Sequence, residues 1–199
     1  MLYFYLIFLG LSNYGMSFED RQRGCEEVEI VSRKEWRARA NIRSWPMATP
    51  INQVIIQHTV TVPCKSKHQC MRLIQTLQDD HMDYQGYGDI AYNFLIGSDG
   101  RAYEGRGWTV RGAHTINFNT NSVGIAFIGN FNEIQPNKKM ISAALNLIKC
   151  GVRKGYLTPV REIYGHRDVG CTESPGENLY REIRKWLNYK GGRMPLYTC

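Results

Sequence analysis

Two histidines, His58 and His166, each follow an apolar run, in VIIQH and IYGH, and lie far apart in the sequence. Imidazoles supplied from separate strand ends are a common way to build a metal site, and a neutral imidazole is an ordinary zinc ligand. Two histidines do not make a site. A strand-end histidine that only makes hydrogen bonds is the commoner case, so other groups must converge on the same place. The six cysteines could also ligate a metal, but no C-x-x-C pair is present, and an even number suits disulfides in an oxidising compartment. Cys64 and Cys70 are close enough to close a small loop at the start of a helix. Cys25 needs a distant partner, for which Cys150 is the candidate.

The elements that would position these groups can be read from spacing. Ser32 and Glu35 form a capping-box pattern ahead of Trp36 and predict a helix start. Residues 54–60 are β-branched and apolar enough for a central strand buried on both faces, which puts His58 near a strand end. Met71, Leu73, Ile74, Leu77, His81 and Met82 recur at near-helical spacing, so residues 69–84 predict an amphipathic helix that Gly86 ends. Residues 90–96 and 101–104 flank the Ser98-Asp99-Gly100 turn and predict a hairpin. Residues 123–128 predict another buried strand, 138–152 a long amphipathic helix, 163–166 a short strand and 176–187 a last helix. Strands and helices alternate, so the expected class is α/β, a mixed central sheet flanked by helices with the histidines facing one cleft at its edge.

At 199 residues the chain suits a single domain that needs neither metal nor oligomerisation to fold. Residues 1–17 carry no charged side chain and open on an apolar run too short to span a bilayer, which is a signal-peptide pattern. Residues 18–199 would then be one secreted, extracellular domain with a short basic tail over 188–199. No other stretch is long enough to cross a membrane. The net charge of +7 could favour nucleic acid, anionic lipid or an acidic polymer such as a bacterial wall, but the basic residues are scattered rather than run together, which is equally the pattern of a solvated face.

Four ordered segments carry a resemblance: VIIQHTVT, DIAYNFLIGSDGRAYEGRGW, RGAHTINFNTNSVGIAFIGNF and GHRDVGCTESPGENLY. Together they resemble the peptidoglycan-recognition proteins of animals, relatives of the phage and bacterial type-2 N-acetylmuramoyl-L-alanine amidases, over about residues 25–190. The resemblance implies an amidase-2-like α/β fold. It also implies a choice between zinc amidases, which cut the bond between muramic acid and L-alanine, and receptors that only bind. The amidase pattern places a histidine before the threonine of the first strand, a second in GHRDV and a cysteine eight residues after it. Those positions hold His58, His166 and Ser174. A thiolate is a soft anionic ligand, whereas a serine hydroxyl is neutral and rarely ligates zinc, so no metal, no cofactor and no hydrolysis are expected. Tyr92 and Thr172, which line the centre of active relatives, would be vestigial. Cys171 would reach the site only if its loop rearranged.

In binding members of that family the muropeptide contacts fall on positions that match His58, Thr59, His81, Tyr92, His114 and Asn119 here. These side chains offer donors, acceptors and aromatic faces to a stem peptide and its sugar. His81 also lies on the apolar side of its predicted helix, where a core role is open. Specificity for the third stem residue falls on Gly86 and Tyr87 and on Arg106. A guanidinium can pair with the extra carboxylate of diaminopimelate, which lysine lacks. Tyr87 stands where tryptophan is usual, and Arg106 could instead be a solvent-facing hairpin arginine. The resemblance pairs Cys25 with Cys150 and Cys64 with Cys70. It leaves Cys171 and Cys199 to pair with each other, to join two chains or to stay free.

The expected protein is a secreted innate-immune receptor for bacterial peptidoglycan. It would be a monomer that clusters on its ligand, pass its signal to a protein partner, and have no part in nucleic-acid binding. A zinc amidase with an unusual third ligand and a basic antibacterial protein acting by electrostatics alone are the competing classes.

Overall fold

The computed structural model describes residues 25–192. The expected signal peptide and most of the tail beyond 192 lie outside the described residues. Six strands form one sheet in the order β1-β4-β3-β5-β2-β6. They are β1 (Ile30–Val31), β2 (Ile51–His58), β3 (Phe94–Ile96), β4 (Ala102–Glu104), β5 (Ser122–Phe127) and β6 (Leu157–Gly165). Only the β3–β4 hairpin is antiparallel. The pairs β1–β4, β3–β5, β5–β2 and β2–β6 are parallel, so the sheet is mixed, as expected.

Alternation along the central strands divides the core into two faces. Val54 and Ile56 of β2, Phe94 and Ile96 of β3, and Ile125 and Phe127 of β5 pack with Ala144, Leu147 and Ile148 of α2 (Lys138–Arg153) and with Leu179 and Ile183 of α4 (Glu177–Ile183). Leu95, Ala126 and Ile128 point the other way, to Trp36 and to Cys70 and Ile74 of α1 (Lys67–Asp79). Strands covered on both faces must be apolar nearly throughout, which is why β2 and β5 read so clearly in the sequence.

Helix α1 begins at Ser66, whose Oγ accepts from the Gln69 amide. The Cys64–Cys70 disulfide ties its first turn to the incoming loop. The helix continues as a π-helical turn over Asp80–Tyr84, an insertion often found at functional sites, and this turn carries His81. Cys25 is bonded to Cys150 of α2. Cys171 has no free thiol, and Cys199, its expected partner, lies outside the described residues.

The structure corrects four expectations. Ser32 and Glu35 do exchange the two hydrogen bonds of a capping box, but only a turn follows. Arg37 takes a left-handed backbone (φ 58°) as the chain reverses to bury Trp36, whose Nε1 donates to the Glu104 carbonyl. Strand β3 starts at Phe94 rather than at 90, because the Tyr92 and Asn93 carbonyls accept from the amides of Gly105 and Arg106. The short strand at 163–166 is the end of the longer β6, and His166 opens the one-turn helix α3 (His166–Val169) beyond it. Helix α4 stops at Ile183, leaving Leu187 exposed while Trp186 is buried.

Candidate functional site

Beyond the carboxyl ends of β2 and β6 the surface opens into a cleft of about 340 Å³. His58, Thr59, His81, Tyr87, Tyr92, His114, His166, Thr172 and Ser174 all line it, together with Gln57, Val60 and Gln85. Residues that the sequence scatters over more than half the chain are therefore neighbours. The cleft shares Tyr87 and Ala113 with a second hollow of about 270 Å³, which is lined by Arg43, Trp45, Gly86, Arg106, Arg111 and Asn119. The two make one groove, and it contains every sequence-predicted site residue.

At the cleft end the basic groups are imidazoles. Burial pushes both His58 and His166 down to about 4. For His58 the nearby Arg167 adds to the depression, and for His166 the His58 ring does. His58 Nδ1 accepts from the Phe131 amide at 3.2 Å, so the proton of the neutral ring sits on Nε2. Ser174 is buried, its Oγ accepting from the His58 amide at 3.2 Å, and its own amide donates to Thr172 Oγ1 at 3.1 Å. Loop 170–176 is therefore stitched to the end of β2. The α3 turn is fixed by buried Asp168, which accepts from the Gly165 amide at 2.7 Å and the Tyr180 hydroxyl at 2.7 Å. Among the described residues no group of three or more His, Cys, Asp or Glu is placed to hold a metal ion.

His81, Tyr87 and Tyr92 form an aromatic wall, with ring centroids 5.8 Å apart for His81 and Tyr87 and 5.5 Å for His81 and Tyr92. His81 is half-buried. Its Nδ1 accepts from the Ala91 amide at 3.1 Å, so it faces the groove rather than filling the core. Burial pushes the Tyr92 phenol up to about 12. His114 is packed against the backbones of Gly112 and Gly124, where any Cβ would lie within 3 Å of its ring. Gln57 Nε2 donates to His114 Nδ1 at 3.2 Å, and burial takes this imidazole down to about 3. Its Nε2 has no hydrogen-bond partner among the described residues. The Asn119 carboxamide accepts from the amides of His114 and Thr115 and so holds the turn that presents His114.

Arg106 is not a solvent-facing arm. It is 7% exposed, and its guanidinium donates to the carbonyls of Ile90 (2.6 Å), Arg111 (2.8 Å) and Asp89 (3.2 Å). Gly86 has a left-handed backbone (φ +68°) with open space where a Cβ would stand, so it is conformation and not crowding that calls for glycine there.

Sequence reasoning missed Gln57, Arg43, Trp45 and Arg111. Gln57 had a signal, a polar residue inside a buried strand. The other three had none, because only the pairing of the 42–47 segment with 109–111 brings them together.

The profile described as N-acetylmuramoyl-L-alanine amidase matches residues 47–177. Peptidoglycan-recognition protein SC2 of Drosophila melanogaster is 44% identical over 163 residues, 82% of this chain and 89% of that one. The X-ray structure of bumblebee PGRP-SA superposes with a TM-score of 0.80 at 44% identity, covering 81% of this chain and 97% of that one. Peptidoglycan recognition protein LE, solved in complex with tracheal cytotoxin, a monomeric diaminopimelic acid-type peptidoglycan, superposes with a TM-score of 0.80 at 38% identity, covering 81% and 96%. The chain belongs to the peptidoglycan-recognition protein family, built on the amidase-2 domain.

Proposed function

We propose that this chain is a secreted innate-immune receptor that binds bacterial peptidoglycan in the groove without cutting it, and that it favours the diaminopimelate type. The observation that carries the reading is Ser174, a buried hydroxyl between two uncharged imidazoles where an amidase needs a thiolate. The donor set does not fit zinc. A serine hydroxyl brings no charge, and Ser174 Oγ already accepts from the His58 amide. A metal-bound imidazole ordinarily donates from its other nitrogen, whereas Nδ1 of His58 accepts. Without the metal no Lewis acid polarises the scissile amide and no hydroxide forms near neutral pH.

Binding asks less of the same residues. His58, Thr59, His81, Tyr92, His114 and Asn119 supply the polar and aromatic contacts for glycan and stem peptide. Gly86, Tyr87 and Arg106 meet the third stem residue. Arg106 supports the diaminopimelate preference because its three backbone bonds hold a permanent cation in place at the hollow, ready for the extra carboxylate that a lysine-type stem lacks. Solved relatives holding tracheal cytotoxin support the ligand class. Residues 1–17 act as the signal peptide, and residues 18–199 act outside the cell as a single domain that hands its signal to a protein partner.

The test is zinc content at neutral pH, together with release of stem peptide from diaminopimelate-type peptidoglycan, for wild type and Ser174→Cys. Metal-free, inert wild type beside a Cys variant that takes up zinc supports the reading. Stoichiometric zinc and cleavage in the wild type overturn it.

A further inference from the structure

We infer that the hollow lined by Arg43, Arg106 and Arg111 is a two-anion subsite for the free, dicarboxylate end of a stem peptide, Arg43 and Arg111 holding a second carboxylate beside the one that faces Arg106. This rests on the peptidoglycan-binding reading and narrows it to stems that are neither amidated nor cross-linked through their terminal carboxyl.

Three arginines line about 270 Å³ and no lining residue is acidic. None of the three has an ion pair among the described residues. Asp89, the carboxylate whose charge acts on Arg106, is itself paired with Arg33 at 3.0 Å. The hollow on the far side of Thr172 is built the opposite way. There Arg167 shares its walls with Asp168, Glu173 and Glu177 and is paired with Glu177 at 2.9 Å, so it is neutralised internally. Three like charges around one small space repel one another, and a ligand bearing two negative charges relieves that cost better than one.

The geometry divides the work. Arg106 spends three N–H groups on backbone carbonyls, leaving two of its five for a ligand, enough for one carboxylate. Arg43 donates once, to the Gly86 carbonyl at 3.0 Å. The exposed Arg111 side chain has no hydrogen-bond or ion-pair partner among the described residues. These arms are placed by built backbone rather than scattered on a surface. Ile42 donates to Gly88 (2.9 Å), Arg111 to Trp45 (2.9 Å) and Met47 to Thr109 (2.8 Å), and a Cβ on Gly88 would come within 2.5 Å of the Arg43 carbonyl. Trp45, 52% exposed, offers an apolar wall for the methylenes that separate two carboxylates. Diaminopimelate at the end of a stem tripeptide has that shape, with one carboxylate at each end of an aliphatic arm. Amidating the terminal carboxyl leaves one carboxylate.

Calorimetric titration of the full mature chain with three synthetic muramyl tripeptides decides the matter. One ends in diaminopimelate with both carboxylates free, one has the terminal carboxyl amidated, and one ends in lysine. Wild type should bind the free acid about tenfold tighter than the terminal amide. Arg111→Gln should lose about tenfold on the free acid and less than about twofold on the amide, with an unchanged melting temperature because Arg111 is exposed. Arg43→Gln should show the same selective loss to a smaller degree. Arg106 is left intact because its removal would strand three carbonyls. Equal losses on both ligands in Arg111→Gln, or a wild type blind to the amide, overturn the two-anion subsite alone. A wild type that binds none of the three ligands overturns the peptidoglycan-binding reading and the subsite with it.

Discussion

At one end of the groove the basic groups are imidazoles that burial keeps uncharged; at the other they are guanidiniums, which proteins do not discharge. The contrast separates two tasks that an amidase would combine. Chemistry at His58, His166 and Ser174 would need a metal to supply positive charge, and the neutral trio invites no anion without one. The recognition proposed for Arg106 needs no such help. On the proposed reading, the fold loses its chemistry by changing one side chain at the neutral end and keeps its ligand through the charged one, because the two ends are held by different elements: β2, β6 and α3 for the first, the 42–47 and 106–111 segments for the second.

Acid should affect the two ends most differently. His58, His114 and His166 are held well below the ordinary imidazole value near 6.5, so each stays neutral in the folded chain where the unfolded chain is already protonated. The unfolded state binds more protons over that range, and stability therefore rises with pH. It is fully present above about 6.5 and drains as pH falls toward about 4 for His58 and His166 and about 3 for His114. Each histidine contributes at most about 1.4 kcal/mol per pH unit. Urea denaturation at stepped pH should show this loss, and NMR titration should find all three rings neutral at pH 5. A ring that titrates near 6.5 would erase the contrast. The arginine end should keep its charge throughout.

Arg106→Leu should cost about 2–4 kcal/mol, because two buried carbonyls and one partly buried carbonyl lose their donor. The same change removes the fixed cation from the charged end of the groove. Denaturation should register the stability loss and calorimetry the loss of diaminopimelate-type ligand. Unaltered stability would mean that the guanidinium is not anchored as described.

Much of this arrangement could be read from the sequence, and what could not has physical causes. Strands β2 and β5 were legible because burial on both faces demands unbroken apolar runs. His58 and His166 were legible as a pair because both end such runs. The Ser32–Glu35 box misled because its hydrogen bonds form equally well in a single turn, and the burial of Trp36 decided the path of the chain. The start of β6 was hidden because Thr158, Pro159 and Arg161 lie near the sheet edge, where little apolar pattern is required. Arg106 was legible as a specificity residue through the family resemblance, but its burial was not, because its carbonyl partners Asp89 and Ile90 come from the preceding loop. Arg43 and Arg111 carried no periodic signal, since a loop–loop pairing has no period to read.

Ser174→Ala tests the neutral end more gently. It removes the acceptor of the buried His58 amide and should cost about 1–2 kcal/mol, measured as a shift in the urea midpoint. Affinity for a diaminopimelate-type muropeptide should fall by less than about threefold, because the arginine hollow is built from other segments. A larger loss would mean that loop 170–176 and the arginine hollow are coupled.

The smallest effect expected is on salt dependence, and it tests whether the charged end works by long-range attraction or by contact. Arg111 and Arg43 are exposed, so their attraction to a carboxylate is screened by salt with a Debye length near 10 Å at 0.1 M, whereas Arg106 sits buried among carbonyls and is screened less. Raising salt from about 0.05 to 0.5 M should weaken wild-type binding of a free-acid stem peptide by about threefold to fivefold, and Arg111→Gln should flatten that dependence without abolishing binding. Equal salt slopes in the two proteins would mean that the exposed arginines do not meet the ligand and that Arg106 alone provides the charge. A wild type insensitive to salt would place recognition on the aromatic wall of His81, Tyr87 and Tyr92 instead, which would bring the two ends of the groove closer in character than their charges imply.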